Sequence, residues 1–274
     1  MNSLCIVNTS IPYFRDGDSD SKQSSTAEFV EILKASIEHG ASVLDIGAVA
    51  HALQNSGGVE ELRLVINEIR ASFPEVIFQV ACRNLFELNR LLTHFDALDP
   101  DIVSVPVAIF CNSEAIGLLR SREDHLRKLR GKLSLDIEDL SMVFRAVKLQ
   151  HDGLLDGRLR VNFCLGREFG VPSDRDAFLF FVETLRRLAP EATWTGVGRG
   201  KSELELARWS IEMGGHGKAT VTQAQGSIST SGKRDNATLY KVIHLCKENG
   251  RRPASFAEAR HILSLRTAFQ RSFA

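Results

Sequence analysis

Residues 193–223, TWTGVGRGKSELELARWSIEMGGHGKATVTQ, contain a complete strand–loop–helix–strand unit. Thr193 to Val197 is short and suits a buried strand. Gly198-Arg199-Gly200 interrupts it. Ser202 with Glu205 three residues on has the spacing of a capping box, which predicts a helix start. Leu204, Leu206, Ala207, Ile211 and Met213 give that helix an apolar stripe. Gly214 and Gly215 end it. Lys218 to Thr222 then alternates polar and apolar residues, as a strand does.

The same unit recurs toward the N-terminus. Strands are predicted at Leu4–Asn8, Ser42–Ile46, Val76–Val80, Ile102–Val105, Leu133–Ile137 and Arg160–Cys164, with helical patterns between them. The seventh and eighth strands are those of the unit above. Long polar loops are expected at 9–25, 47–58 and 223–236. A second capping box, Ser255-x-x-Glu258, opens a last helix. Strand–helix alternation with right-handed crossovers makes a parallel sheet covered by helices. Eight units in this length predict an α/β fold, a (β/α)8 TIM barrel forming one domain over 1–274, with C-terminal helices. An open doubly wound sheet is the alternative.

Composition narrows the function. Acidic and basic residues number 34 each, so the formal net charge is zero and no nucleic-acid or membrane surface is expected. No apolar run approaches the roughly 20 residues that span a bilayer. The N-terminus, MNSLCIVNTS, has no basic, long apolar leader, and the five cysteines are scattered without a C-x-x-C pair. A cytoplasmic protein acting on a small molecule is the expectation.

In such a barrel the active site lies at the C-terminal ends of the strands, and one parity of each strand faces inward. That parity directs Asp45, Asp136, Glu138 and Lys218 into the mouth as candidate catalytic groups. It directs Gln79, Ser104, Asn162, Thr195 and Thr222 inward as candidate substrate-binding groups. Barrel interiors prefer branched apolar residues, so this polarity marks a site. A structural cluster of buried ion pairs is the competing explanation. Gly198, Arg199 and Gly200 follow the seventh strand, where backbone N–H groups, a guanidinium and a helix N-terminus suit the phosphate of a CoA-type ligand. A tight turn with solvated basic residues reads equally well. The eight histidines show no metal-binding spacing, although His51 and His216 fall near strand ends. No nucleophile elbow, Walker loop or dinucleotide fingerprint is present.

The segments TWTGVGRG, MGGHGKATVT, NATLYKVIHLCKENGRRPASF and AEARHIL resemble the β-keto acid cleavage enzymes, the family of 3-keto-5-aminohexanoate cleavage enzyme. LRVNFCLG, LSLDIED, DPDIVSVPV and HGASVLDIG extend the resemblance backward in the right order. It implies a (β/α)8 barrel, a homo-oligomer, and a Claisen-type exchange between a β-keto acid and acetyl-CoA on zinc. A shorter similarity, GASVLDIGAVAHA with GGVEELRLVINEI, looks like the second strand unit of dihydropteroate synthases, but that family's later lysine and arginine motifs are missing.

Departures from the pattern bear on the chemistry. Where the family has its His-x-His zinc pair, this chain has Asp45 and Gly47. Where it has a glutamate, an aspartate and an asparagine, this chain has Thr222, Gln223 and Ala224. Its arginine on the eighth strand is Lys218, and Ala81-Cys82-Arg83-Asn84 replaces its Thr-Gly-Gly type segment. Glycine and threonine do not replace imidazole and carboxylate on zinc. The resemblance with these departures implies a metal-independent enzyme, with no resident cofactor and a CoA ester as a possible co-substrate. It would act on a small oxo-acid, acyl or amino-acid-derived substrate by carbon–carbon cleavage or formation, or by isomerisation through an enolate. A non-catalytic binding or partner protein, and a rearranged metal site using His51 or His216, are the alternatives.

Overall fold

The computed structural model describes residues 3–12, 26–47, 52–54, 56–111, 117, 123–168, 170–223 and 234–267. Eight strands form the central sheet: β1 (Val7–Pro12), β2 (Val43–Gly47), β3 (Ile77–Ala81), β4 (Ile102–Pro106), β5 (Leu133–Ile137), β6 (Arg160–Cys164), β7 (Thr193–Val197) and β8 (Gly217–Thr220). Each pairs in parallel with its sequence neighbour from β1 through β7, and β8 returns to pair with β1. A single bridge, Thr195 with His216, spans β7 and β8. The result is a nearly closed (β/α)8 barrel. Among the described residues, the longer helices between strands are α1 (Thr26–Glu38), α2 (Ser56–Ser72), α3 (Leu85–Thr93), α4 (Glu123–Arg130), α5 (Leu140–His151), α6 (Arg175–Leu188) and α7 (Glu203–Glu212). Two more, α8 (Ala237–Glu248) and α9 (Phe256–Ile262), follow β8.

Strand parity explains the core. Leu44, Phe78, Val103, Leu135 and Phe163 point outward and are buried beneath the helices. Ile6, Val43, Ile77 and Ile102 close the floor with Ala254, Ile262 and Leu263. Arg160 pins this plug by donating to the carbonyls of Gly131, Leu133 and Leu263. Burial alone pushes its guanidinium down to about 10. Arg260 serves the same end, buried between Asp101 and Glu75.

Three local expectations change. The first strand breaks at Ile6. Leu4–Cys5 pairs with Arg252–Pro253, and the barrel strand runs on to Pro12, so the polar loop starts later than the composition implies. The interval 47–58 holds a short 3-10 turn, Ala52–Gln54, and α2 begins at Ser56. The Ser202–Glu205 capping box does not form. Ser202 lies in a 3-10 turn, Gly200–Ser202, where its hydroxyl accepts from Arg199 N and donates to Arg199 O. The turn folds closely back on the end of β7: a Cβ on Gly198 would meet Ser202 O at 2.4 Å. The Ser255–Glu258 box does form. No described helix is long and apolar enough to cross a membrane.

Candidate active site

Two interlocked polar groups occupy the C-terminal end of the barrel. The first joins β8 to β2. Lys218 Nζ lies 2.5 Å from Asp45 Oδ2, and the two side chains are 15% and 2% exposed. Burial works against the ammonium's charge. The attraction and hydrogen bond of Asp45, with Asp136 farther off, outweigh it and hold the lysine above its ordinary value. Asp45 Oδ1 is buried with no hydrogen-bond partner. Below it, Asn8 Nδ2 donates to Gln79 Oε1 at 3.3 Å, while Asn8 Oδ1 and Gln79 Nε2 stay unpartnered. A cavity of about 30 Å³ beneath is lined by Asn8, Gln79, Ser134, Asn162, Thr195 and His216. It has room for about one water.

The second group lies on β4, β5 and β6. Asp136 Oδ1 accepts from Ser104 Oγ at 2.6 Å and from Asn162 Nδ2 at 2.8 Å. Asn162 also donates to Ser104 Oγ and Ser134 Oγ. The register places these residues side by side: Ser104 pairs with Ser134, and Asp136 with Asn162. Glu138, one residue past β5, meets Arg167 at 2.5 Å on the rim.

The fold brings Asp45 to Lys218, and Ser104 and Asn162 to Asp136. Glu138 stands apart with Arg167. Thr195 is half-buried lower in the barrel. Thr222 leaves the barrel strand: it lies in Thr222–Gln223, which pairs antiparallel with Arg234–Asp235. His216 is buried with its Nδ1 accepting from Ile6 N at 3.3 Å, a floor contact. His51 and residues 224–233 lie outside the described residues. Gly198 is packed under α7, while Arg199 and Gly200 are exposed.

Besides Asn8 and Ser134, further residues of the site escaped the sequence reading. Cys164 faces inward at the end of β6 as strand alternation requires, and burial pushes its thiol up. Arg167 lies in the loop after β6. Glu203, the first residue of α7, reaches back so that its Oε1 accepts from Thr220 N at 2.5 Å. Burial raises its carboxyl above the ordinary value, against the opposing hydrogen bond of Thr220 and the charge of Lys218.

The fold and this mouth define a (β/α)8 barrel whose strand ends carry acid–base and cationic groups. The beta-keto acid cleavage enzyme model matches residues 24–265, and the chain belongs to that family. It is 31% identical over 275 residues to a 3-oxoadipate:acetyl-CoA acetyltransferase of Cupriavidus necator, covering 97% of this chain and 96% of the relative. It is 27% identical to a 3-keto-5-aminohexanoate cleavage enzyme of Fusobacterium nucleatum, covering 87% and 89%. A dihydrodipicolinate synthase of Thermotoga maritima shares the fold, with a TM-score of 0.56 at 13% identity, over 96% of this chain and 81% of that one.

Zinc, which the family resemblance implies, fits the described residues poorly. At the second-strand position Gly47 brings no donor, and a lysine ammonium already holds Asp45 Oδ2. Among the described residues, no group of three or more His, Cys, Asp or Glu side chains is arranged to hold a metal ion.

Proposed function

We propose that the protein is a metal-independent member of its family. It cleaves or forms a carbon–carbon bond, or isomerises through an enolate, on a small oxo-acid, acyl or amino-acid-derived substrate. The carrying observation is the Lys218–Asp45 pair: a positive charge held at the strand ends where the family resemblance places zinc. An enolate needs positive charge where its oxygen develops, and a fixed ammonium in a water-poor cleft supplies it without reorganisation. Asp136, oriented by Ser104 and Asn162, is the base that takes the proton from carbon. The substrate oxygen approaches the remaining N–H bonds of Lys218, while Asp45 keeps the ammonium charged.

The names of the relatives supply the first probes: 3-oxoadipate and other β-oxo acids, each with and without acetyl-CoA. A CoA ester is the proposed co-substrate. Turnover by chelator-treated protein, lost in Lys218→Met and in Asp136→Asn, is the expected result. Turnover that appears only on adding a divalent metal overturns metal independence. No turnover of any oxo acid, together with tight binding of one, favours the reading as a binding protein.

A further inference from the structure

Among the described residues, four carboxyl groups lie at the mouth, and their partners divide them. Asp45 is committed to Lys218 and Glu138 to Arg167, each at 2.5 Å. Asp136 is held by neutral donors, and Glu203 by the backbone N–H and the side chain of Thr220. An enolate reaction needs one group that removes a proton and one that returns it. Two carboxyl groups in unlike surroundings are how an enzyme divides those tasks.

Glu203 is brought to the mouth by a break in the sheet. Where β7 faces β8, two side chains of α7 take the places of ladder partners. Ser210 Oγ accepts from Gly196 N at 3.0 Å, and Glu203 Oε1 accepts from Thr220 N at 2.5 Å. The close approach rests on glycine, since a Cβ on Gly196 would meet Leu206 O at 2.5 Å. Glu203 therefore stands over the end of β8, two residues along the strand from Lys218. Asp136 lies across the barrel on β5.

Resting on the enolate reading above, we propose that Glu203 is the proton donor of this site. Asp136 takes a proton from the substrate carbon, whose C–H electron pair enters the enolate. Glu203 gives its own proton to the enolate carbon or oxygen and becomes a carboxylate. Exchange with bulk water then restores both groups. The Thr220 N–H bond to Oε1 holds the carboxyl group over the end of β8. Burial favours the protonated form, as a donor requires. Charged groups around Glu203 are Lys218 on β8, with Asp45 beyond it, and Arg199, Lys201 and Glu205 on its own turn and helix. Arg167, on the neighbouring loop, is engaged by Glu138.

Glu203→Gln tests the assignment, because glutamine still accepts the Thr220 bond but cannot titrate. With wild-type protein turning over an oxo acid, Glu203→Gln is expected to lower kcat by about 100-fold or more. KM should change little, the thermal midpoint should not fall, and the fall of kcat at high pH should disappear. If Glu203→Gln keeps wild-type kcat and pH profile while Glu203→Ala loses stability, Glu203 only closes the seam and the proposal is overturned. Absence of wild-type turnover overturns the enolate reading itself, which separates the two failures.

Discussion

Lys218 on β8 and Asp45 on β2 meet at 2.5 Å although 173 residues separate them. The first strand lies between theirs, paired to both. Removing the lysine alone leaves a buried carboxylate without its counter-charge. Lys218→Met is expected to cost about 3–5 kcal/mol in urea unfolding. Asp45→Asn in the same chain should recover most of that loss. Equal instability of the single and double variants would show that the pair contributes little.

Glycine at position 196 is a packing requirement. Its φ is not in the left-handed region, but a Cβ there would press on the α7 backbone at 2.5 Å. Gly196→Ala is expected to destabilise by about 1–3 kcal/mol. It should also disturb the seam where Ser210 and Glu203 enter. An unchanged thermal midpoint would show that α7 shifts freely.

Glu203 also links stability to pH. Its folded value is raised, so the folded chain holds a proton that the unfolded chain releases. Its contribution is then fullest below the ordinary glutamate value and is lost as pH rises through the higher folded value. Compared with wild type, Glu203→Gln should gain relative stability across that rise. Parallel pH–stability curves for the two proteins would refute this.

Protein purified without added metal is expected to hold well under one zinc per chain. Elemental analysis near one per chain, with metal bound at the ends of β2 and β8, would overturn that expectation.

The loop after β7 is the proposed seat for the phosphate of a CoA ester. Arg199 is exposed there, next to the start of α7. A charged hydrogen bond of this kind contributes roughly 1.5–3 kcal/mol, so Arg199→Ala should weaken a phosphorylated ligand about 10- to 100-fold. A dephosphorylated analogue should weaken far less. Equal weakening of both would mean that Arg199 only shapes the turn.

Repetition of strand and helix, and the parity of Asp45, Asp136, Lys218, Ser104 and Asn162, are properties of the sequence itself. Both follow from local geometry: side chains alternate along a strand, and an apolar stripe recurs along a helix. A one-residue slip would have sent Asp45 into the helix layer, and burial forbids that. Which inward groups meet was decided only by the tertiary structure. Pairing depends on register and shear, so Lys218 finds Asp45, Ser104 and Asn162 find Asp136, and Glu138 is taken by an arginine that no strand pattern marks. Glu203 shows the limit most plainly. Its neighbours suggest the first turn of a helix, and its place in the mouth exists only because β7 and β8 leave a gap that α7 fills.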